Sequence, residues 1–238
     1  MAVPRRSERT TIGGQGSTSI RLGWHDWYRR LALGWPSLQP RCHGRLAGML
    51  IVIAGLPGSG KSTAADDLAS ALECAVLGVD QAEAAMWRAG ISQSGPTHHA
   101  AYLVVEALAT EQLALGHDII IDAVNGPEEA RAQWRLLAER SQATLKFIEV
   151  LCSDERLHQR RLADRTRRIE GFPEPTWAGV LRRRNEFPAW TDHRLTLDTV
   201  NSRADNLRAA LEYLGRAKAS PPSSAVGTAR SAWHSRIE

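Results

Sequence analysis

The sequence predicts an α/β fold in which a five-stranded parallel sheet is sandwiched by helices. Between Met49 and Arg216, short apolar runs alternate with segments whose apolar residues repeat at helical spacing. The third apolar run, 117–121, contains three consecutive isoleucines, as expected for a strand buried on both faces of a parallel sheet. Because helices that join parallel strands make right-handed crossovers, this alternation predicts a doubly wound sheet.

The predicted elements follow one another in regular order. We predict strands at 50–54, 75–79, 117–121, 144–151 and 194–197. We predict helices at 61–72, 81–88, 97–116, 128–140, 154–169, 177–187 and 203–216. Thr97 and Ser153 are the expected hydroxyl caps of the third and fifth helices, and Pro127 suits the start of the fourth.

A glycine-rich segment joins the first predicted strand to the first predicted helix. It reads Gly55-Leu56-Pro57-Gly58-Ser59-Gly60-Lys61-Ser62-Thr63 and matches the pattern G-x-x-x-x-G-K-[ST]. Its glycines allow backbone N–H groups to point at a phosphate, and the following helix adds the positive end of its dipole. Lys61 supplies a charge to the β- and γ-phosphates, and the Ser62 hydroxyl is a ligand for Mg²⁺. A chance glycine-rich turn is the alternative, but the strand–loop–helix context favours binding of ATP with Mg²⁺.

Two aspartates follow predicted strands, at the sheet edge where such folds bind ligands. Asp80 follows the second strand, and we expect it to orient and deprotonate an acceptor hydroxyl; the alternative is a carboxylate that caps the next helix. Asp122 follows the third strand, and we expect it to contact Mg²⁺ directly or through water; the alternative is a turn residue. Asn125, three residues further on, is a candidate for the same site.

The helix predicted after the fourth strand is rich in arginine. Most of these side chains are expected on the solvated surface, paired with acidic residues at helical spacing. Arg161, Arg165 and Arg168 share one face, however, and they lead into a Gly- and Pro-containing segment at 171–175. This arrangement is typical of a lid whose arginines neutralise phosphates and exclude water. We therefore expect at least one of the three to be catalytic.

Charge and composition restrict the classes of protein that fit. The 238-residue chain has a formal net charge of +4, but its basic residues lie at the ends. Residues 1–48 carry a net charge of +6 and 217–238 carry +2, whereas 49–216 carry −4. The basic balance is therefore no indication of a nucleic-acid partner. No apolar run approaches the ~20 residues of a membrane span, and three single cysteines indicate a reducing compartment, the cytoplasm.

The same features predict the domain organisation. We expect one domain at 49–216 and a disordered tail at 217–238, which contains a Ser–Pro stretch. Residues 1–48 show no sustained period and lack the apolar core of a secretory signal. We expect this segment to be disordered or to precede the true translation start at Met49. An organellar transit peptide is the lesser alternative.

Taken in order, these motifs resemble those of the small phosphate-loop kinases grouped with the AAA-type ATP-binding domain proteins. The chain is most similar to chloramphenicol 3-O-phosphotransferase and to the kinase domain of polynucleotide kinase, over about residues 49–216. The similarity rests on 55–63, 77–80, 119–122 with Asn125, 150–152 and the spacing of Arg161, Arg165 and Arg168. The resemblance implies a five-stranded parallel sheet with a mobile helical lid. It also implies that Asp80 activates the hydroxyl and that Arg165 or a neighbour is the lid arginine, with Arg161 and Arg168 beside ATP.

Two departures limit what the resemblance implies about the acceptor. After Asp80 the chain has Gln81-Ala82-Glu83, where polynucleotide kinases carry an arginine that holds the substrate phosphate. Glu83 would repel that phosphate. After Asp122 comes Ala123-Val124, which is the context of neither relative, so an antibiotic acceptor is not implied.

The sequence thus predicts an ATP- and Mg²⁺-dependent kinase that phosphorylates a hydroxyl of a small molecule, with nucleic acid an unlikely partner. The segment 81–102, which contains His98 and His99, and the lid are expected to set the specificity. One alternative is a nucleoside or polynucleotide 5′-hydroxyl kinase. The other is a regulatory protein that binds ATP without transferring phosphate.

Overall fold

The computed structural model describes residues 48–164, 174–185 and 190–216. The strands in these ranges are β1 (Met49–Ala54), β2 (Ala75–Gly78), β3 (Ile119–Asp122), β4 (Thr144–Leu151) and β5 (Arg194–Asp198). The helices are α1 (Lys61–Leu72), α2 (Val79–Arg88), α3 (Thr97–Ala114), α4 (Glu128–Arg140), α5 (Glu155–Ala163), α6 (Trp177–Asn185) and α7 (Arg203–Tyr213). None of these helices is long and apolar enough to cross a membrane.

The five strands form one parallel sheet, which confirms the predicted fold class. Their order is β2-β3-β1-β4-β5, so the first strand lies in the centre. The register places Ile53 of β1 and Gly78 of β2 on either side of Asp122 of β3. The carboxyl ends of three strands therefore meet around Asp122, at the edge where ligands bind in parallel sheets.

Helices cover both faces of the sheet. On one face, α1 and α7 pack together, and Leu68 and Ala210 join strand residues such as Ile51 and Ile120 in the core. The alternate residues of the strands face α3 and α4, because successive side chains of a strand point to opposite faces. Residues 50–54 of β1 and 119–121 of β3 are fully buried. Burial on both faces explains why these strands show no alternation of polar and apolar residues.

The second strand is shorter than predicted. β2 ends at Gly78, and Val79 and Asp80 already belong to α2. Gly78 is the extended residue that precedes the helix, with φ −98° and ψ 127°. The Asp80 carboxylate lies in the first turn, where the positive end of the helix dipole favours it. The predicted strand is therefore one residue too long, and Asp80 follows it as the second residue of α2.

Both predicted hydroxyl caps are also wrong. Thr97 is the first residue of α3 and makes no cap, because its hydroxyl donates a hydrogen bond to Glu83 Oε1 at 3.0 Å. The cap of α5 is Asp154, whose carboxylate accepts from the Leu157 N–H at 2.9 Å, and not Ser153. Aspartate serves as well as serine in this position, so the cap shifts by one residue.

Some predictions concern residues outside the described ranges. These are the disorder of 1–47 and 217–238, the extension of the fifth helix beyond Ala163, and the positions of Arg165, Arg168 and 171–173. They stay predictions.

The start of β1 is held at the edge of the sheet opposite to Asp122. Asp118 accepts from the Met49 backbone N–H at 2.8 Å with one oxygen and from Arg216 at 2.8 Å with the other. In a chain that begins at Met49, the same nitrogen is an ammonium group, and the contact becomes an ion pair. We therefore expect a chain of residues 49–216 to fold and to bind ADP with the affinity of the full chain. Calorimetry on both chains tests this, and loss of binding in the shorter chain would contradict the proposed domain.

Candidate active site

The segment 55–63 forms a tight loop between β1 and α1. Gly58 and Gly60 have φ values of +81° and +99°, in the left-handed region that favours glycine. At Gly55, a Cβ atom would lie 2.3 Å from the carbonyl oxygen of Val150. The three glycines are therefore required by backbone conformation or by close packing.

The start of α1 offers several hydrogen-bond donors to an anion. The helix follows Gly60, and no side chain caps its first N–H groups. Such groups need an external acceptor. The buried hydroxyl of Ser59 has no partner among the described residues either. Lys61, only 6% exposed, and Ser62 are the first two residues of the helix. This set of donors and one positive charge fits a phosphate group.

A buried carboxylate lies beside the loop. Asp122 is 7% exposed, and its Oδ1 has no hydrogen-bond partner in the described part of the chain. The Val124 carbonyl, two residues beyond Asp122, accepts from the Gly55 N–H of the phosphate loop at 3.1 Å. An unpaired buried carboxylate oxygen is costly, and a divalent cation would satisfy it. Asp122 and Ser62 therefore fit Mg²⁺, which keeps several waters and needs few protein ligands.

Asn125 makes structural hydrogen bonds beside the phosphate loop. It is fully buried with φ +48°. Its Nδ2 donates to the Ile53 carbonyl at 2.9 Å, and its Oδ1 accepts from Trp134 Nε1 at 2.9 Å. Both ends of the amide are thus engaged within the protein, and Asn125 anchors the loop after β3 to the end of β1.

A cavity of about 410 Å³ extends from the loop between α1 and α7. Its lining includes Gly58, Gly60, Lys61, Ser62, Thr63, Asp67, Arg161, Thr199, Asn201, Arg203 and Asn206. At its rim, the guanidinium of Arg203 binds both carboxylate oxygens of Asp67 and so joins α7 to α1. Asp80 and Asp122 are not among the lining residues. The cavity has the size of a small-ligand site and opens directly onto the phosphate loop.

Arg161 is held at this cavity by the segment after β5. Its Nη1 donates to the Thr199 hydroxyl at 2.7 Å and its Nη2 to the Thr199 carbonyl at 3.0 Å. The Thr199 hydroxyl lies 2.8 Å from the Ser59 carbonyl oxygen. Thr199 thus joins Arg161 to the phosphate loop, and our sequence analysis missed it. The only sequence signal is a polar residue just after a predicted strand.

A polar cluster lies between α2 and α3, one helical turn beyond Asp80. The buried Glu83 accepts from the Thr97 hydroxyl and lies 3.1 Å from His98 Nδ1. Burial acts to raise the pKa of Glu83, but the hydrogen bond and charge of His98 outweigh it and lower the pKa. The Glu83 carboxylate is therefore engaged within the protein, with one oxygen on the Thr97 hydroxyl and the other beside His98.

Asp80 lies beside this cluster. Burial raises the pKa of Tyr102, and the nearby Asp80 carboxylate raises it further. The Tyr102 ring packs at 5.3 Å from the His98 ring, whose side chain is 45% exposed. Asp80 and His98 therefore both lie near Tyr102.

The sheet order and the G-x-x-x-x-G-K-S loop define a P-loop protein of the kinase-like α/β class. Residues 50–187, more than half of the chain, match the family model AAA_33, described as an AAA domain. The chain belongs to this family, and the resemblance inferred from the sequence is confirmed. No curated protein matches the chain.

Solved structures show the same fold at low sequence identity. A candidate kinase from Chloroflexus aurantiacus superimposes with a TM-score of 0.59 at 18% identity, over 72% of this chain and 98% of that one. Kti12 from Chaetomium thermophilum, in complex with ADP-AlF3, superimposes with a TM-score of 0.56 at 17% identity, over 70% of this chain and 98% of that one. APS kinase CysC from Mycobacterium tuberculosis, in complex with AMPPNP and APS, superimposes with a TM-score of 0.53 at 18% identity, over 72% of this chain and 99% of that one.

Replacing Gly55 by alanine is expected to destabilise the fold by about 3 kcal/mol or more, because the added Cβ collides with the Val150 carbonyl. Gly90 is the matched control. Its φ is +86°, and an added Cβ meets no atom within 4 Å, so Gly90→Ala should cost only about 1–2 kcal/mol. Urea unfolding of both variants measures the difference. Equal free energies of unfolding would contradict the close packing at Gly55.

Proposed function

We propose that the protein transfers the γ-phosphate of ATP to a hydroxyl group of a small molecule. The observation that carries this proposal is the convergence of three features at one edge of the sheet: the phosphate loop, an Asp122 carboxylate oxygen that has no partner among the described residues, and Asp80. Phosphoryl transfer needs neutralisation of the phosphate charge and a positioned acceptor hydroxyl. The first two features suit the phosphates, and the third suits the acceptor.

On the nucleotide side, the loop binds the phosphates through its N–H groups and Lys61. The cavity between α1 and α7 would hold the ribose and the base, with Arg161 and Thr199 at its wall. Ser62 and Asp122 would hold Mg²⁺, which supplies further neutralisation of phosphate charge when it is bound. Arg165 and Arg168 complete the proposal as lid residues, on the strength of their spacing from Arg161.

On the acceptor side, Asp80 accepts the proton of the attacking hydroxyl. Its position in the first turn of α2, two residues beyond the partner of Asp122 in the sheet, supports this role. The exposed edge of His98 offers a polar contact for the same acceptor. Two structural neighbours are named for small-molecule substrates, the APS kinase and a sugar kinase from Janibacter sp.. We place the reaction in the cytoplasm because Cys74 and Cys152 are free thiols.

A screen for ADP release tests the proposal and identifies the acceptor class. The acceptors are aminoglycosides, amphenicols, macrolides, sugars, nucleosides and 5′-hydroxyl oligonucleotides, each with ATP and Mg²⁺. We expect one small-molecule class to raise ADP release above the slow background hydrolysis. Release with oligonucleotides alone would support the 5′-hydroxyl kinase instead. Nucleotide binding without release for any acceptor would support a regulatory protein.

A further inference from the structure

A buried histidine of α5 contacts the phosphate loop. His158 is 2% exposed, and its Nε2 lies 2.8 Å from the carbonyl oxygen of Pro57. Because a carbonyl oxygen can only accept, Nε2 carries the proton and donates it. The ring also fills the space beside Gly58, where a Cβ atom would lie 3.3 Å from His158 Cδ2. His158 is therefore hydrogen-bonded to the loop and in close packing with it.

This hydrogen bond determines how one peptide unit of the loop is oriented. The Pro57 carbonyl and the Gly58 N–H belong to the same planar, trans peptide, so they point in opposite directions. Holding the carbonyl against His158 turns the Gly58 N–H away from α5. Without the donor, the buried carbonyl would have to rotate towards another partner, and the Gly58 N–H would rotate with it.

The same ring also contacts α6. His158 and Trp177 pack edge to face, with ring centroids 5.2 Å apart and an interplanar angle of 84°. Arg184 of α6 lies over the Trp177 ring at 5.9 Å and pairs with Glu155 of α5 at 3.7 Å. His158 thus contacts both Trp177 and the phosphate loop.

We propose that His158 is a positioning residue through which α6 sets the orientation of the Pro57–Gly58 peptide and thereby the affinity for nucleotide phosphate. This inference rests on the nucleotide-binding part of the proposed function and requires no particular acceptor. His158 is buried against the loop and, in the described part of the chain, does not line the cavity between α1 and α7, so it acts through the peptide that it orients.

Calorimetric titration of the full chain with ADP tests the role of the donor. His158→Leu removes the N–H but keeps an apolar side chain, and we expect the Kd for ADP to rise about five- to tenfold. His158→Gln retains an N–H donor, so it should restore most of the affinity. His193→Leu is the control, since His193 is exposed and stacks on Tyr213 at the far edge of the sheet, and its Kd should equal that of the wild type.

Trp177 tests the connection to α6. Trp177→Leu should weaken ADP binding, whereas Trp177→Phe keeps an aromatic edge and should not. The double variant His158→Leu/Trp177→Leu should bind no more weakly than His158→Leu alone, because Trp177 acts through His158. Thermal unfolding without ADP shows whether each variant is folded at the titration temperature.

Unchanged affinity in His158→Leu or in Trp177→Leu would overturn the inference. So would a defect in His158→Gln as large as that in His158→Leu, or additive effects in the double variant, because either would indicate general damage to the fold. If His158→Leu does not fold, the comparison of Trp177→Leu with Trp177→Phe still decides. If the wild-type chain binds no ADP, the proposed function is refuted as well. If the wild-type chain binds ADP but the variants do not show the expected affinities, this inference alone is refuted.

Discussion

Replacing Lys61 by methionine is expected to lower the rate of phosphoryl transfer at least about a thousandfold. Lys61 is 6% exposed and is the first residue of the helix that follows the phosphate loop. Methionine keeps an unbranched stem of similar length but removes the charge that, in the proposed mechanism, stabilises the transferred phosphate. ADP release with the acceptor found in the screen measures the rate, and calorimetry with ADP measures the accompanying loss of affinity.

The matched control is Lys146→Met. Lys146 lies near the start of β4, with its ammonium 4.8 Å from the centre of the Tyr213 ring and away from the phosphate loop. It makes a cation–π contact, so its replacement is expected to cost some stability and no catalytic rate. A Lys61→Met variant that keeps the transfer rate of the Lys146→Met variant would contradict the assignment of the site.

Replacing Asp80 by asparagine is expected to lower the transfer rate about a hundred- to ten-thousandfold while ADP binding stays intact. The substitution keeps the shape of the side chain and removes its ability to accept a proton. Among the described residues, Asp80 does not line the cavity between α1 and α7 that we propose for the nucleotide, so a specific loss of transfer is the expected pattern.

A structural role for Asp80 gives a different result. If its carboxylate only stabilises the start of α2 through the helix dipole, asparagine should cost about 0.3–1 kcal/mol of stability and leave the rate unchanged. Parallel measurements of unfolding and ADP release separate the two roles. Asp66→Asn, on the exposed side of α1, controls for the loss of one acidic charge. An unchanged rate in Asp80→Asn would show that another group accepts the proton.

Local sequence patterns predicted the parallel sheet and the phosphate loop. Helices α1 and α4 and strand β4 have the bounds that their apolar periodicity predicts. The prediction succeeds because a helix buried on one face, or a strand buried on both, has a pattern of apolar residues that are close together along the chain. The spacing of Gly55, Gly60 and Lys61 is likewise a local pattern, since the conformation, packing and charge of one short loop require these residues.

The residues that surround the loop come from distant parts of the chain, and the sequence patterns did not predict their contacts. Asn125 donates to Ile53, 72 residues away; His158 donates to Pro57, 101 residues away; Thr199 lies against Ser59, 140 residues away. Such contacts depend on which strands are neighbours in the sheet, and no local pattern of polarity or spacing marks their partners. The helical position of Asp80 also escaped the sequence prediction, because the helix begins at Val79, directly after the extended Gly78. Apolar periodicity therefore predicted the helices and strands, and the glycine motif predicted the phosphate loop. How that loop is held depends on contacts between segments that are distant along the chain.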